Sequence, residues 1–247
     1  MGFPQVKSGW MGRCCAPLLM SLSLIAPAMA SPGLFPLQVS VNFPNAPAGS
    51  GSPSRTAGGA TRTGQPCVPK GPNDKPLTVI VPSNNVGKTV AAEPTLFLYV
   101  PPTTAVGGEV VILDEAGEEV YFNDEFTLPE SLKTEGGIVR FQVTGADLQA
   151  GQKYEWIFSL MCNVDDRSND EVVTGVFERV ESNLATPSPD ELGAAELASA
   201  ATRFAQAGIW NETLIYAAQL REFNAQEWAN LLSAVELEDL ANIPFAN

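Results

Sequence analysis

Apolar residues between Leu77 and Val180 come in short runs and alternations separated by turn residues, whereas beyond Val180 they recur every third or fourth position. Period two marks a strand with one face buried; a period near 3.6 marks an amphipathic helix. Strands are predicted over "LTVIV", "TLFLYV", "EVVIL", "EEVYF", "GIVRFQV", "KYEWIFSLMC" and "VVTGVFERV". Seven short strands with turn signals between them predict an antiparallel β-sandwich. Pro94 and Pro101 bracket "TLFLYV" and suit it to a sheet edge, where a missing N–H is tolerated. "DEAG" links "EVVIL" to "EEVYF", with Gly117 at a left-handed turn position, and predicts a β-hairpin. No helical period interrupts the strands, which argues against a parallel α/β sheet.

The best-patterned stretch is "ADLQAGQKYEWIFSLMC". Leu148, Gly151 and Tyr154 are spaced by three, which resembles the turn entering a late strand of fibronectin type III and immunoglobulin-like domains. In those domains the tyrosine hydroxyl bonds back to upstream backbone, forming a tyrosine corner. Beyond it Tyr154, Trp156, Phe158, Leu160 and Cys162 alternate onto one face, and Glu155 and Ser159 onto the other. An aromatic stripe at this period reads as core rather than as a ligand platform.

After Val180 the pattern predicts helices. Ser188-Pro189-Asp190-Glu191 has the form of a capping box, Leu197, Ala201, Phe204 and Ala205 form an apolar stripe, and Gly208 is a stop. A second helix is expected from near Asn211, and a third begins at Asn224 with Glu227 three residues later. "RFAQAGIWNETLIYAAQL" loosely resembles one tetratricopeptide helix pair, and a single such pair cannot bury its own apolar face. The fold class expected is an immunoglobulin/fibronectin-III-like antiparallel β-sandwich over residues 74–181, followed by a small α-helical region over 182–247.

The first thirty residues fit neither pattern. Lys7 and Arg13 precede the apolar run "CCAPLLMSLSLIAPAMA", which ends Ala28-Met29-Ala30; this predicts a secretory signal cleaved before Ser31. Residues 31–73 are rich in Pro, Gly, Ser, Thr and Ala and are expected to form a disordered linker. That linker holds Arg55, Arg62 and Lys70 and no acidic residue.

Composition narrows function by exclusion. Without the leader, 12 basic residues face 28 acidic ones, a formal charge of −16. That balance opposes nucleic acid and anionic membrane as partners, both of which reward Lys and Arg clusters. Histidine is absent, which removes Ser-His-Asp and Cys-His nucleophile systems and His-ligated zinc. Cys67 and Cys162 remain after cleavage and read as a disulfide in an oxidising compartment, with two unpaired thiols as the alternative.

Three further motifs offer chemistry. "NNVGKT" ends like a phosphate-binding loop, but Pro82 stands where that loop needs its first glycine. Asp165, Asp166 and Asp170 crowd one turn and form a weak calcium candidate, against which Arg167 stands as an internal ion-pair partner. Glu118, Glu119, Asp124 and Glu125 suggest paired glycosidase carboxylates, although nothing specifies a cleft. Asn211-Glu212-Thr213 matches a glycosylation sequon at a predicted helix cap.

Taken together, "RTAGGATRTGQPC", "LTVIVPSNNVGKTVAAEPTLFLYVP", "VILDEAGEEVY", "KYEWIFSLMCNVDDRSNDEVVTGVFERV" and "AQAGIW" resemble the cyanobacterial secreted family catalogued as domain of unknown function 928. The matching positions are Gly58, Gly59, Thr61, Arg62, Cys67, Trp156, Cys162, Asp166 and Arg167. The resemblance implies export and favours Cys67–Cys162 pairing, and it assigns no activity, substrate or catalytic residue. Family members often carry Trp where Leu98 stands here.

The expectation is an exported, periplasmic or extracellular, non-catalytic binding or structural module without cofactor. Its partner would be a protein or envelope component, held by the sandwich edge or the helical tail. The alternatives are a carboxylate-based enzyme on envelope polysaccharide and a calcium-stabilised adhesion module.

Overall fold

A computed structural model describes residues 41–44, 66–69, 71, 74–83 and 86–246. The expected leader over 1–30 and most of the expected linker over 31–73 lie outside the described residues. Eight strands form: β1 (Thr78–Val79), β2 (Val86–Thr89), β3 (Thr95–Val100), β4 (Gly107–Leu113), β5 (Glu119–Phe126), β6 (Gly137–Gln142), β7 (Lys153–Met161) and β8 (Glu171–Arg179). Three helices follow: α1 (Ala194–Gln206), α2 (Trp210–Leu220) and α3 (Ala225–Ala234). The chain is therefore mainly β, with its helices gathered at the C-terminal end.

The strands make two sheets, one in the order β1-β3-β6 and one in the order β2-β8-β7-β4-β5. Their facing sides supply one core. Leu96, Leu98, Val100, Val139 and Phe141 from the smaller sheet meet Val110, Ile112, Tyr154, Trp156, Phe158, Leu160, Val173 and Phe177 from the larger. Alternate residues of the smaller sheet, Phe97, Tyr99 and Ile138, point the other way and join Leu197, Phe204, Trp210 and Leu214 in a second core. The smaller sheet is thus a middle layer between the larger sheet and the helices. The sheets and helices belong to one compact unit.

This layering corrects the edge reading of "TLFLYV". β3 is the central strand of its sheet, and five of its six residues are buried. A strand covered on both faces reads as a near-continuous apolar run, as this one does. The bracketing prolines lie just outside it, where Pro94 needs no N–H and its carbonyl accepts the Val143 amide at 3.0 Å.

All but one of the pairings are antiparallel; β2 runs parallel to β8. Its four residues, "VGKT", have no apolar alternation, so nothing in their own pattern announced a strand. The parallel pair needs no crossover helix, because the strands between β2 and β8 make the connection.

At the helices, caps decide the boundaries. Gly208 takes φ +69°, while Ile209 and Gly208 amides reach back to the Phe204 and Ala205 carbonyls at 2.9 Å each. That is the Schellman arrangement, and only a residue without Cβ adopts it freely. The Asn224 side chain caps α3 by accepting the Gln226 amide at 3.1 Å. The predicted box at Ser188 makes no side-chain cap; a single 3₁₀ turn stands there, and α1 starts later, where Glu196 accepts the Gly193 amide at 3.0 Å. Glu227 does not close a box on Asn224 either. Buried, it accepts the Val41 amide at 2.8 Å.

Two described pieces of the expected linker are packed. Val41 is fully buried, and Phe43 meets Trp210 edge to face at 4.9 Å. Cys67 and Val68 lie in the inter-sheet core. At the other end of the chain the Ile138 amide donates to Pro244 at 2.8 Å and the Ala246 amide to Ile138 at 2.9 Å, which covers the free edge of β6.

A chain ending at Pro187 would expose Phe97, Tyr99 and Ile138 to water. It should aggregate or unfold without cooperativity, as read by size-exclusion chromatography and thermal circular dichroism. A monomeric truncation with a sharp melt would show that the sheets stand without the helices.

Candidate interaction surface

The turn before β7 places the patterned residues. Gly151 sits at φ +81°, and the Tyr154 hydroxyl accepts the Gln149 amide at 2.7 Å. The Leu148 side chain is buried, and its carbonyl accepts from the Arg179 guanidinium. Tyr154, Trp156 and Phe158 are 4%, 2% and 0% exposed. The Trp156 indole lies where a side chain on Gly175 of the neighbouring strand would stand, so glycine there gives the ring its seat. Nothing but a gap of about 10 Å³ adjoins the indole, between the sheets and α2. These rings fill the core and line no ligand cavity. Leu98 points into the same core with no exposed surface.

Cys67 and Cys162 are bonded, across 95 residues of sequence. The bond ties the N-terminal segment to the end of β7, and the Thr103 hydroxyl and Thr104 amide both donate to the Cys67 carbonyl, at 2.9 and 2.8 Å.

In the β7–β8 turn the acidic residues are engaged internally. Asp170 accepts the Cys162 amide at 2.9 Å and the Arg167 guanidinium, whose other nitrogens fork onto Glu109 of β4 at 3.1 and 3.2 Å. These two carboxylates hold the Arg167 pKa well above its ordinary value. Asp166 accepts the Ser168 amide at 3.0 Å, and bonds to Ser168 pull its pKa below the usual carboxylate range. Asp165 is exposed and turned to solvent. Among the described residues no three His, Cys, Asp or Glu side chains gather as metal ligands. Arg167 thus binds the loop to the sheet in the manner of an ion-paired turn. Glu118, Glu119, Asp124 and Glu125 are strung along the exposed hairpin and share no cleft. Asn211 lies buried inside α2 with its amide 3.4 Å from the Thr95 carbonyl, a position closed to a glycan.

The surface that stands out is the outer face of the larger sheet. One cross-strand row runs Phe122, Val111, Ile157, Thr174; a second runs Leu113, Glu155, Val176, Val86; a third runs Glu109, Ser159, Val172. Phe122 is 49% exposed, Val172 42% and Val120 40%. The helices pack against the other sheet and against β2, and Phe122, Val172 and Val120 stay open to water. Contiguous apolar surface rimmed by polar groups marks an interaction site more often than scattered apolar residues do. Sequence alternation placed Glu155 and Ser159 opposite the core residues, and Ile157 lies between them on that face. It could not show that neighbouring strands align with it, because register is a property of pairing.

The burial of Glu212 was not legible in the sequence. Glu212 is 5% exposed and joins α2 to β2: one of its oxygens accepts the Thr89 hydroxyl at 2.8 Å and the Val90 amide at 3.1 Å. Its other oxygen is buried without a partner. Burial pushes the carboxyl pKa up, and the hydrogen bonds from Thr89 and Val90 only partly oppose this.

A family model described as Domain of Unknown Function (DUF928) matches residues 57–245, and the chain belongs to that family. No curated protein and no solved structure matches it. No helix among the described residues is long and apolar enough to cross a membrane.

Replacing Cys67 and Cys162 together by serine should lower stability by about 4 kcal/mol, since the bond closes a long loop; urea unfolding reads the loss directly. Glu212→Gln should act in the opposite direction. The folded carboxyl titrates above a free glutamate, so its stabilisation is complete below about pH 4.3 and declines as pH rises towards the folded value. Thermal melts from acid to neutral pH should therefore show the variant more stable than the parent at pH 7 and level with it in acid. A variant less stable at pH 7 would contradict this.

Proposed function

We propose that this chain is an exported, non-catalytic binding or structural module of the cell envelope, engaging a protein or envelope component through the outer face of the larger sheet. The observation that carries the reading is the cross-strand row Phe122–Val111–Ile157–Thr174, in which Phe122 is exposed and the other three are half-buried on the outer side of the sheet. A preformed flat platform of this kind needs little ordering on binding, which favours recognition over chemistry.

Export is supported by the Cys67–Cys162 bond, since disulfides persist in oxidising compartments. An immunoglobulin or fibronectin type III class of sandwich is supported by the strand order. β1-β3-β6 against β5-β4-β7-β8 parallels the A-B-E and C′-C-F-G orders of that class, with the tyrosine contact at the start of the strand equivalent to F. In such domains one sheet face commonly serves as scaffold and the other as contact surface.

Capture from native envelope by the folded chain tests the surface. A Phe122→Asp, Ile157→Asp double variant should retain its fold and recover its partner about tenfold less well, the scale of losing a central anchor. Equal capture by the variant would remove this face from consideration. Release of product from envelope glycans would replace binding by catalysis.

A further inference from the structure

The two sheets have four outer edges, and the fold treats them unequally. The edge of β6 receives the C-terminal residues Pro244 and Ala246 at Ile138. The edge of β2 is held by α2, whose Glu212 takes the Thr89 hydroxyl and the Val90 amide. β1 has two residues, too few to template a partner strand. β5 has eight residues and pairs only with β4, and no described segment bonds along its outer side.

What guards β5 is charge. From Gly107 to Leu132 the sequence carries eight carboxylates and no Lys or Arg. On β5 itself Glu119, Asp124 and Glu125 are exposed, and between them Val120 and Phe122 present apolar surface. Register shifts near each end of the β4–β5 pair leave a short regular stretch around Tyr121 and Phe122. A second copy pairing here would set acid against acid, which is how natural edges suppress self-association. A strand of opposite charge meets no such barrier.

We infer that β5 is an acceptor edge: an extended, basic segment of a partner protein adds beside it as a further strand of the larger sheet. The incoming strand extends the outer face, so an apolar side chain beside Phe122 continues its row while Lys or Arg residues further along the same face meet Glu119 and Asp124. Main-chain hydrogen bonds supply affinity, and the alternation of charge and apolar contact supplies selectivity. This rests on the proposed use of the outer sheet face and names the partner chemistry for it.

The test uses the whole mature chain and labelled eight-residue peptides. The first peptide places a valine between two lysines on one face, with threonine at the intervening positions; the second is the same peptide methylated on alternate backbone nitrogens, and the third carries glutamate for lysine. The first should bind saturably, weaken with added salt and slow hydrogen exchange at residues 119–126. Methylation should weaken it about thirtyfold or more, the scale of two or three lost main-chain bonds, and the glutamate peptide should not bind. A D124K, E125K variant should lose affinity for the lysine peptide. Equal binding of the methylated peptide would overturn strand addition while leaving the face itself as the binding surface. So would failure of the lysine peptide to bind while envelope capture still depends on Phe122. If capture ignores Phe122, the proposed function fails first.

Discussion

The molecule depends on a sheet that is apolar on both sides. β3 and its neighbours turn Leu96, Leu98 and Val100 towards one sheet, and Phe97 and Tyr99 towards the helices. Neither surface can be left in water, because apolar area costs roughly 25 cal/mol for each Å² exposed. The larger sheet must cover one side and the helices the other, so two regions that look separate along the chain share a single stability. A lone helix pair with an unpaired apolar face finds its cover in the same way.

The ties across the layers are few and polar. Trp210 donates to the Ile80 carbonyl at 3.0 Å, Glu227 accepts the Val41 amide, and Glu212 accepts from β2. Each satisfies a buried donor that the packing would otherwise strand, so each fixes register more than it adds net stability. Glu212 is the exception, since its second oxygen is buried without a partner. Its carboxyl is the group through which acidity reaches the β2–α2 junction.

Covering the middle sheet leaves the larger sheet with an open outer face and one open long edge. Both carry apolar residues, and both are rimmed by acids. A surface of that composition opposes copies of itself and anionic polymers, and it is the basis of the basic, extended partner proposed above. The charge balance of the whole chain and the local chemistry of β5 point the same way, although one is a total and the other an arrangement.

Much was legible in the sequence. Alternation in "KYEWIFSLMC" indicated which rings enter the core, the spacing of Leu148, Gly151 and Tyr154 indicated the turn, and Gly208 indicated the helix stop. These are local matters, decided by side-chain period and by backbone conformations that only some residues adopt. The missed features were all non-local. β2 has no pattern of its own and exists because β8 offers it an edge; "TLFLYV" is central because β1 and β6, distant in sequence from one another, pair on either side of it; Glu227 passed over a cap three residues away for an amide 186 positions distant. By itself the sequence determined period, turn chemistry, the absence of histidine and the sign of the charge. Which strands lie side by side, and therefore which apolar residues remain in water, only the tertiary structure decided. Burial depends on what arrives from elsewhere in the chain, and no short window of residues contains that.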